Sequence, residues 1–418
     1  MRICVISTTV FPIVQPWGTH GYAGLEVIAY YCAMGLARLG NEVHLIVPDG
    51  SNCPGVNVVH TGPPGQHDEH AAFQKYWKDL SSFDCIIDHS WQRWSMALKA
   101  EGSLKTPVLN VLHAPVHTMF QQPPPVEKPC IVCISNDQAN HYEALFSPGK
   151  TKVCYNGIDT SFYKPLQTER TDRFLFLARF STIKGPDLAI EACKKAGVGL
   201  DLIGDFSITN EPELYQKCKA MSDGNQIRFI GPCTRGEAVY WFSKAKGLIH
   251  LNQRFREPFG LAPVEAQACG CPVIAWRYGA MPETIAHGHT GWLVENMDQA
   301  VEAIQSTLDG TDRWERMRDP AIEHGKTLAR IEDKGNAQGG ELLGMFQHRV
   351  TPIGRNDAQA NVVPPRGHLA QVRRRHGPRV KRRDLIVVTV GHDHGLGRVG
   401  VLHLPDEFGA DAQSLQAL

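Results

Sequence analysis

The 418 residues carry 43 Lys and Arg against 43 Asp and Glu, with 42% hydrophobic residues, 8% aromatics, 39 Gly, 27 Pro and 12 Cys. That length makes about two or three domains, and the mixed composition excludes a disordered or collagen-like chain. A formal net charge of zero removes any whole-chain electrostatic argument for nucleic acid binding. In chain order, Ile3 to Ser7 reads as a buried first strand, Leu25 to Leu39 as a helix stopped by Gly40, and Val43 to Val47 as a second strand. Strands are predicted over 85–88, 108–112 and 130–134, the last followed by a helix over 137–146. Cys130 and Cys133 form a C-x-x-C, but Ile131 and Val132 between them indicate a strand, where positions three apart face opposite sides. Core cysteines rather than zinc ligands are therefore expected. The alternation restarts with strands over 174–178, 200–203, 227–230 and 247–251 and helices over 187–196, 211–221 and 235–243.

Strands alternating with helices imply parallel sheets covered on both faces. Between the halves, Asn156-Gly157-Ile158-Asp159 and Lys164-Pro165 have the turn chemistry of a linker. The chain therefore reads as α/β, with two Rossmann-like, doubly wound domains over 1–165 and 170–325. They face across a cleft that is the default place for a ligand. Residues 345–418 read differently. The segment 349–418 holds 11 Lys and Arg against 6 Asp and Glu, leaving 32 against 37 in 1–348, and no aromatic residue falls from Gln347 to Glu407. This tail is expected to be disordered or foreign to the fold. The alternative makes 366–383 a basic arm for nucleic acid or anionic lipid, which would give peripheral membrane contact. His392-Asp393-His394 within it is not expected to hold a metal, because no further ligand set is apparent. No run of eighteen apolar residues and no signal-peptide pattern occurs, and the cysteines lack the dense spacing of a secreted scaffold. A reducing, cytoplasmic setting is expected.

Three constellations carry chemistry. Glu257 and Glu265 are eight apart, and Pro258-Phe259-Gly260 stands where a helix would begin, so Glu257 lies on a loop and Glu265 about one turn inside. Helix N-termini offer free N–H groups to a diphosphate, and carboxylates beside them accept hydrogen bonds from sugar hydroxyls. Arg179 and Lys184, between a strand and a helix, would neutralise a diphosphate leaving group. Gly18-Thr-His-Gly21-Tyr-Ala-Gly24-Leu-Glu26 follows the first strand without the G-x-G-x-x-G spacing. Asp49, between Pro48 and Gly50, reads as turn chemistry rather than a ribose ligand, so a nicotinamide enzyme is disfavoured. Each constellation alone also fits a solvated charged face or loop.

In order, the stretch 254–296, Arg179-x4-Lys184-Gly185, Asn156 to Asp159, Ile134-Ser135 and Tyr22-Ala23-Gly24-Leu25-Glu26 resemble the retaining GT-B glycosyltransferases. That family includes sucrose synthases, bacterial glycogen synthases and phosphatidylinositol mannosyltransferases, and the likeness covers roughly residues 1 to 325. It implies a GT-B fold and transfer of a hexose, with retention, from a nucleoside-diphosphate sugar to an acceptor hydroxyl on a small molecule, glycan or lipid. UDP-glucose is the first-choice donor on family frequency. On this resemblance, Glu257 contacts the donor sugar, backbone groups of Phe259, Gly260 and Leu261 approach sugar and diphosphate, and Glu265 holds the ribose. Arg179 and Lys184 bind the diphosphate, the loop of Gly24 approaches the donor, and His113 is the acceptor-side histidine near the transferred sugar. Asp88-His89-Ser90 matches a neighbouring strand end. Ala23-Gly24 where the family usually has Gly-Gly, and Ala114 after His113, depart from the pattern. The cations and helix N-terminus stand in for a metal, so no metal or other cofactor is expected, and no Asp-x-Asp occurs in 1–348. A GT-B sugar-nucleotide epimerase and a non-catalytic sugar-nucleotide-binding protein are the alternatives.

Overall fold

In the computed structural model, which describes residues 1–14, 24–116, 130–146, 151–206, 209, 211–252, 255–308 and 313–331 and four short strands between 384 and 403, the apolar runs form two parallel sheets. The expectations for residues 15–23, Arg254, the basic arm 366–383 and His394 lie outside the described residues. The first sheet holds β1 (Arg2–Ile6), β2 (Glu42–Val47), β3 (Asn57–His60), β4 (Cys85–Asp88), β5 (Val108–Leu112), β6 (Cys130–Cys133) and β7 (Thr151–Val153). Its order is β3-β2-β1-β4-β5-β6-β7. After the two-residue β8 (Ile158–Asp159), the second sheet holds β9 (Phe174–Leu177), β10 (Leu200–Ile203), β11 (Ile227–Gly231), β12 (Leu248–His250), β13 (Val273–Trp276) and β14 (Gly291–Val294). Its order is β11-β10-β9-β12-β13-β14. Strand order reverses between β1 and β4 and again between β9 and β12, the points at which doubly wound sheets bind ligands.

Helices cover the sheets: α1 (Gly24–Arg38), α2 (His70–Tyr76), α3 (Trp94–Ala100) and α4 (Asn136–Leu145) belong to the first half. The second half carries α5 (Pro186–Ala196), α6 (Pro212–Ala220), α7 (Arg235–Lys244), α8 (Leu261–Ala268), α9 (Met281–Thr284), α10 (Met297–Gln305) and α11 (Arg318–Ala329). Every residue of β4 and β5 is buried, as strands covered on both faces require. Phe174, Phe176, Phe180 and Trp314 sit in the core of the second half. Truncating one such ring to alanine costs about 3–5 kcal/mol.

The strands expected from β-branched runs form within a residue or two. β3, β7, β13, β14, α2, α3, α9, α10 and α11 are additions to the expected elements; β3 is half-exposed and short, and helices of seven residues or fewer display too little of a 3.6-residue period. The expected linker is better anchored than its turn residues imply. β8 pairs in parallel with β15 (Arg330–Ile331), Asp159 Oδ1 accepts the Ser161 N–H at 2.8 Å, and Tyr163 is buried. Cys133 lies in the core. In the tail, β16 (Asp384–Ile386) pairs antiparallel with β19 (Val401–His403), and β17 (Gly391–Asp393) pairs antiparallel with β18 (Leu396–Arg398). Among the described residues, no helix is long and apolar enough to cross a membrane.

Candidate active site

The chain leaves β9 through Arg179, makes a short turn over Thr182–Lys184 and enters α5 at Gly185, whose φ is 63°. A Cβ at Gly185 would stand 2.4 Å from the Leu251 carbonyl oxygen, so only glycine lets this loop lie against the end of β12. That approach sets Lys184 Nζ 2.5 Å from Glu257 Oε2. The same oxygen accepts Asn252 Nδ2–H at 2.9 Å, and His250 Nε2 lies 3.9 Å away. Burial pushes the Glu257 carboxyl up, but the Lys184 charge, His250 and the two hydrogen bonds outweigh it and hold the group below its ordinary value. Burial brings His250 down to about 4, so it stands neutral beside the pair.

Gly260, with φ 85°, is the N-cap of α8 and brings no side-chain acceptor to its first-turn N–H groups. Such a terminus suits an anion. Leu261, the first residue of α8, packs on Val27, Ile28 and Tyr31 of α1, and a Cβ on Gly24 would stand 3.5 Å from Leu261 Cδ1. The starts of two helices, one from each half, therefore meet beside Glu257. The Phe259 side chain is core, tilted against Tyr155 at 6.0 Å, which leaves only its backbone for a ligand. One turn into α8, the buried Glu265 receives Arg235 Nη1–H at 3.2 Å on Oε1.

The first sheet carries a second polar cluster. His113, just past β5, has its Nε2 2.8 Å from Nδ1 of His89, which follows β4, and the two rings stack at 5.1 Å. Burial pushes His89 down to about 3. Burial first, then His89 and Arg93, hold His113 well below its usual value, so both imidazoles are neutral at pH 7. Asp88 holds the turn by accepting the Ser90 N–H at 2.9 Å and Ser90 Oγ–H at 2.6 Å. Glu69, raised by burial to about 7, accepts the N–H groups of Trp91 and Gln92 at 3.2 and 2.7 Å. The loop ends at Arg93, which among the described non-glycine residues is the one at positive φ, 49°.

The expected donor residues thus fall on one locus: Lys184, Glu257, Phe259, Gly260, Leu261 and Gly24 meet there, Arg179 shares the Lys184 loop, and Glu265 lies one turn deeper. His113 is instead joined to His89. Among the described residues, no group of three or more His, Cys, Asp or Glu is arranged to hold a metal ion.

Two family descriptions match consecutive parts of the chain: Glycosyltransferase Family 4 over residues 22–162, and Glycosyl transferases group 1 over 158–324. The chain belongs to the GT-B glycosyltransferases. The two matches meet at 158–162, where β8 and the Asp159 turn join the halves of the transferase. It is 26% identical over 383 residues to D-inositol 3-phosphate glycosyltransferase 1 of Catenulispora acidiphila, covering 77% of this chain and 91% of that one. It is also 26% identical over 395 residues to the D-inositol 3-phosphate glycosyltransferase of Corynebacterium glutamicum, covering 79% and 93%. Its fold matches Anabaena HepE in complex with UDP-glucose, with TM-score 0.63 and 18% identity over 78% of this chain and 94% of that one. Sucrose-phosphate synthase from Thermosynechococcus elongatus matches with TM-score 0.66 and 18% identity over 83% and 97%.

Sequence reasoning missed the residues that join the halves of the transferase. Glu283 of α9 accepts the backbone N–H groups of Asn136 and Asp137 at 2.7 and 2.6 Å, and Tyr155 Oη–H at 2.7 Å. Arg256 forks onto Asp137 through Nε at 2.8 Å and Nη2 at 2.5 Å. Arg256 precedes Glu257 directly, so the donor motif is tied to the opposite half. The signal available was Arg256 itself, a cation placed directly before Glu257 in the motif.

Proposed function

We propose that this enzyme moves a hexose, with retention of anomeric configuration, from a nucleoside-diphosphate sugar, UDP-glucose first, to an acceptor hydroxyl. The observation that carries this reading is the Lys184–Glu257 pair at 2.5 Å beside the glycine-capped start of α8. The diphosphate lies against Arg179, Lys184 and the α8 N-terminus. These stabilise the negative charge that accumulates on the nucleoside diphosphate as the C1–O bond breaks, and they supply the countercharge without a metal ion. Glu257, kept ionised by Lys184, accepts hydrogen bonds from the sugar hydroxyls and fixes the ring. Glu265 accepts those of the ribose. His113, neutral, hydrogen-bonds the transferred sugar rather than acting as a cation. The acceptor hydroxyl attacks C1 on the face the diphosphate leaves, and a departing phosphate oxygen takes its proton. The relatives' names support hydroxyl-bearing acceptors, and the HepE complex supports a uridine donor in this fold.

The test is a panel of UDP-, GDP- and ADP-sugars supplied with candidate acceptors. Released nucleoside diphosphate is measured and the product anomer is read by proton NMR. Retained configuration with at least one donor supports the reading. Inverted product, or C2 epimerisation without transfer, sinks it.

A further inference from the structure

Arg235 opens α7 at its first turn, where the helix dipole is positive and a cation is disfavoured. It is nonetheless buried, and its helix start is fixed by a capping box between Thr234 and Glu237. Its Nη1 donates to two oxygens, Tyr163 Oη at 2.8 Å and Glu265 Oε1 at 3.2 Å. Both ion-pair side chains are 10% exposed. Arg235 therefore bridges Tyr163 and Glu265, with the phenol oxygen holding the guanidinium that holds the carboxylate. Tyr163 belongs to the segment joining the two halves and is 2% exposed, and Tyr31 of α1 adjoins the same charges. A buried carboxylate held by a guanidinium that is itself anchored on a buried phenol has a fixed orientation, which a surface ion pair does not provide.

We infer that Arg235 and Tyr163 are positioning residues that orient the Glu265 carboxylate toward the ribose 2′- and 3′-hydroxyls and so set the enzyme's selectivity for a ribonucleotide donor. This rests on the proposed role of Glu265. Arg235 acts through Glu265 and touches no substrate. Its bond to Oε1 fixes the plane in which the carboxylate oxygens accept the ribose hydroxyls. Tyr163 makes the same geometry depend on the linker's place between the halves.

The experiment takes the full chain and whichever of UDP, GDP and ADP binds tightest, and compares its Kd with that of the 2′,3′-dideoxy form by calorimetry. Hydrogen bonds to a charged group make the ribo form bind on the order of tenfold or more tighter in the unaltered protein. Arg235→Lys and Tyr163→Phe both keep the buried charge balance and so fold. Each is expected to cut the ribo-to-dideoxy ratio several-fold while binding of the dideoxy form stays within about twofold, a split that a merely structural role does not produce. Glu265→Gln is expected to abolish the ratio. If both charge-conserving variants keep the original ratio while Glu265→Gln loses it, the inference is wrong and the role of Glu265 stands. If the unaltered protein shows no ratio, or Glu265→Gln keeps it, the proposed role of Glu265 fails and the inference with it.

Discussion

The carboxylate of Glu283 accepts the backbone N–H of Asp137 at 2.6 Å, so a side chain of the second half caps α4, a helix of the first. α4 already has its own cap, Ser135 Oγ accepting the Gln138 N–H at 3.0 Å. Glu283 therefore adds negative charge to an occupied helix start, and Arg256 on Asp137 holds the same corner. These contacts draw the two sides of the cleft together beside Glu257, which in a transferase excludes water from the donor.

Replacing Glu283 with Ala is expected to cost about 1 kcal/mol of stability, the scale of a lost helix cap. The larger effect falls on partition: the variant should hydrolyse donor several-fold more per transfer event. Comparing nucleotide release with and without acceptor checks this, and an unchanged partition would show that the contact does not govern closure.

Glu257 titrates below its ordinary value because Lys184, His250 and Asn252 outweigh burial. A group whose folded pKa is depressed stabilises above its unfolded value and loses that contribution as pH falls through the folded one. In Lys184→Met the strongest effect opposing burial is lost, only His250 and Asn252 remain against it, and Glu257 moves up, so at neutral pH the variant carries a buried charge without its cation, costing about 3–5 kcal/mol. The gap in melting temperature between the two proteins is therefore expected to narrow as pH falls from 7 toward 4. Thermal scans over that range measure it, and a gap independent of pH contradicts the assignment.

His89 is brought down to about 3 by burial. Between that value and the unfolded one near 6.5 the unfolded chain binds the extra proton, so the group costs stability at up to about 1.4 kcal/mol per pH unit as acid is added. His89→Gln is expected to shallow the loss of stability from pH 6.5 to 4.5. A slope as steep as that of the unaltered protein would mean that His89 ionises freely.

Much of this was legible in the chain. Apolar, β-branched runs such as Cys85 to Asp88 and Phe174 to Leu177 name their strands because a strand buried on both faces has no polar alternation. Glu257, Gly260 and Lys184 were legible because local turn chemistry and helix starts are written in neighbouring residues. Arg235 with Glu265, Glu283 with Asp137 and His89 with His113 were not. Each pair is brought together by the packing of elements 24 to 146 residues apart, and nothing in the periodicity of either partner announces the other. The linker misled for a related reason: Asn156 to Asp159 has turn composition, while its anchoring comes from β15 and from the burial of Tyr163.

The central claim is that a nucleoside diphosphate binds against Arg179, Lys184 and the start of α8 with no metal ion needed. Calorimetric titration of UDP, GDP and ADP in the presence of EDTA tests it most directly. At least one nucleotide should bind with a Kd unchanged by EDTA and weakened at least tenfold in Lys184→Met. Absence of binding by all three, or binding that EDTA abolishes and magnesium restores, would contradict it.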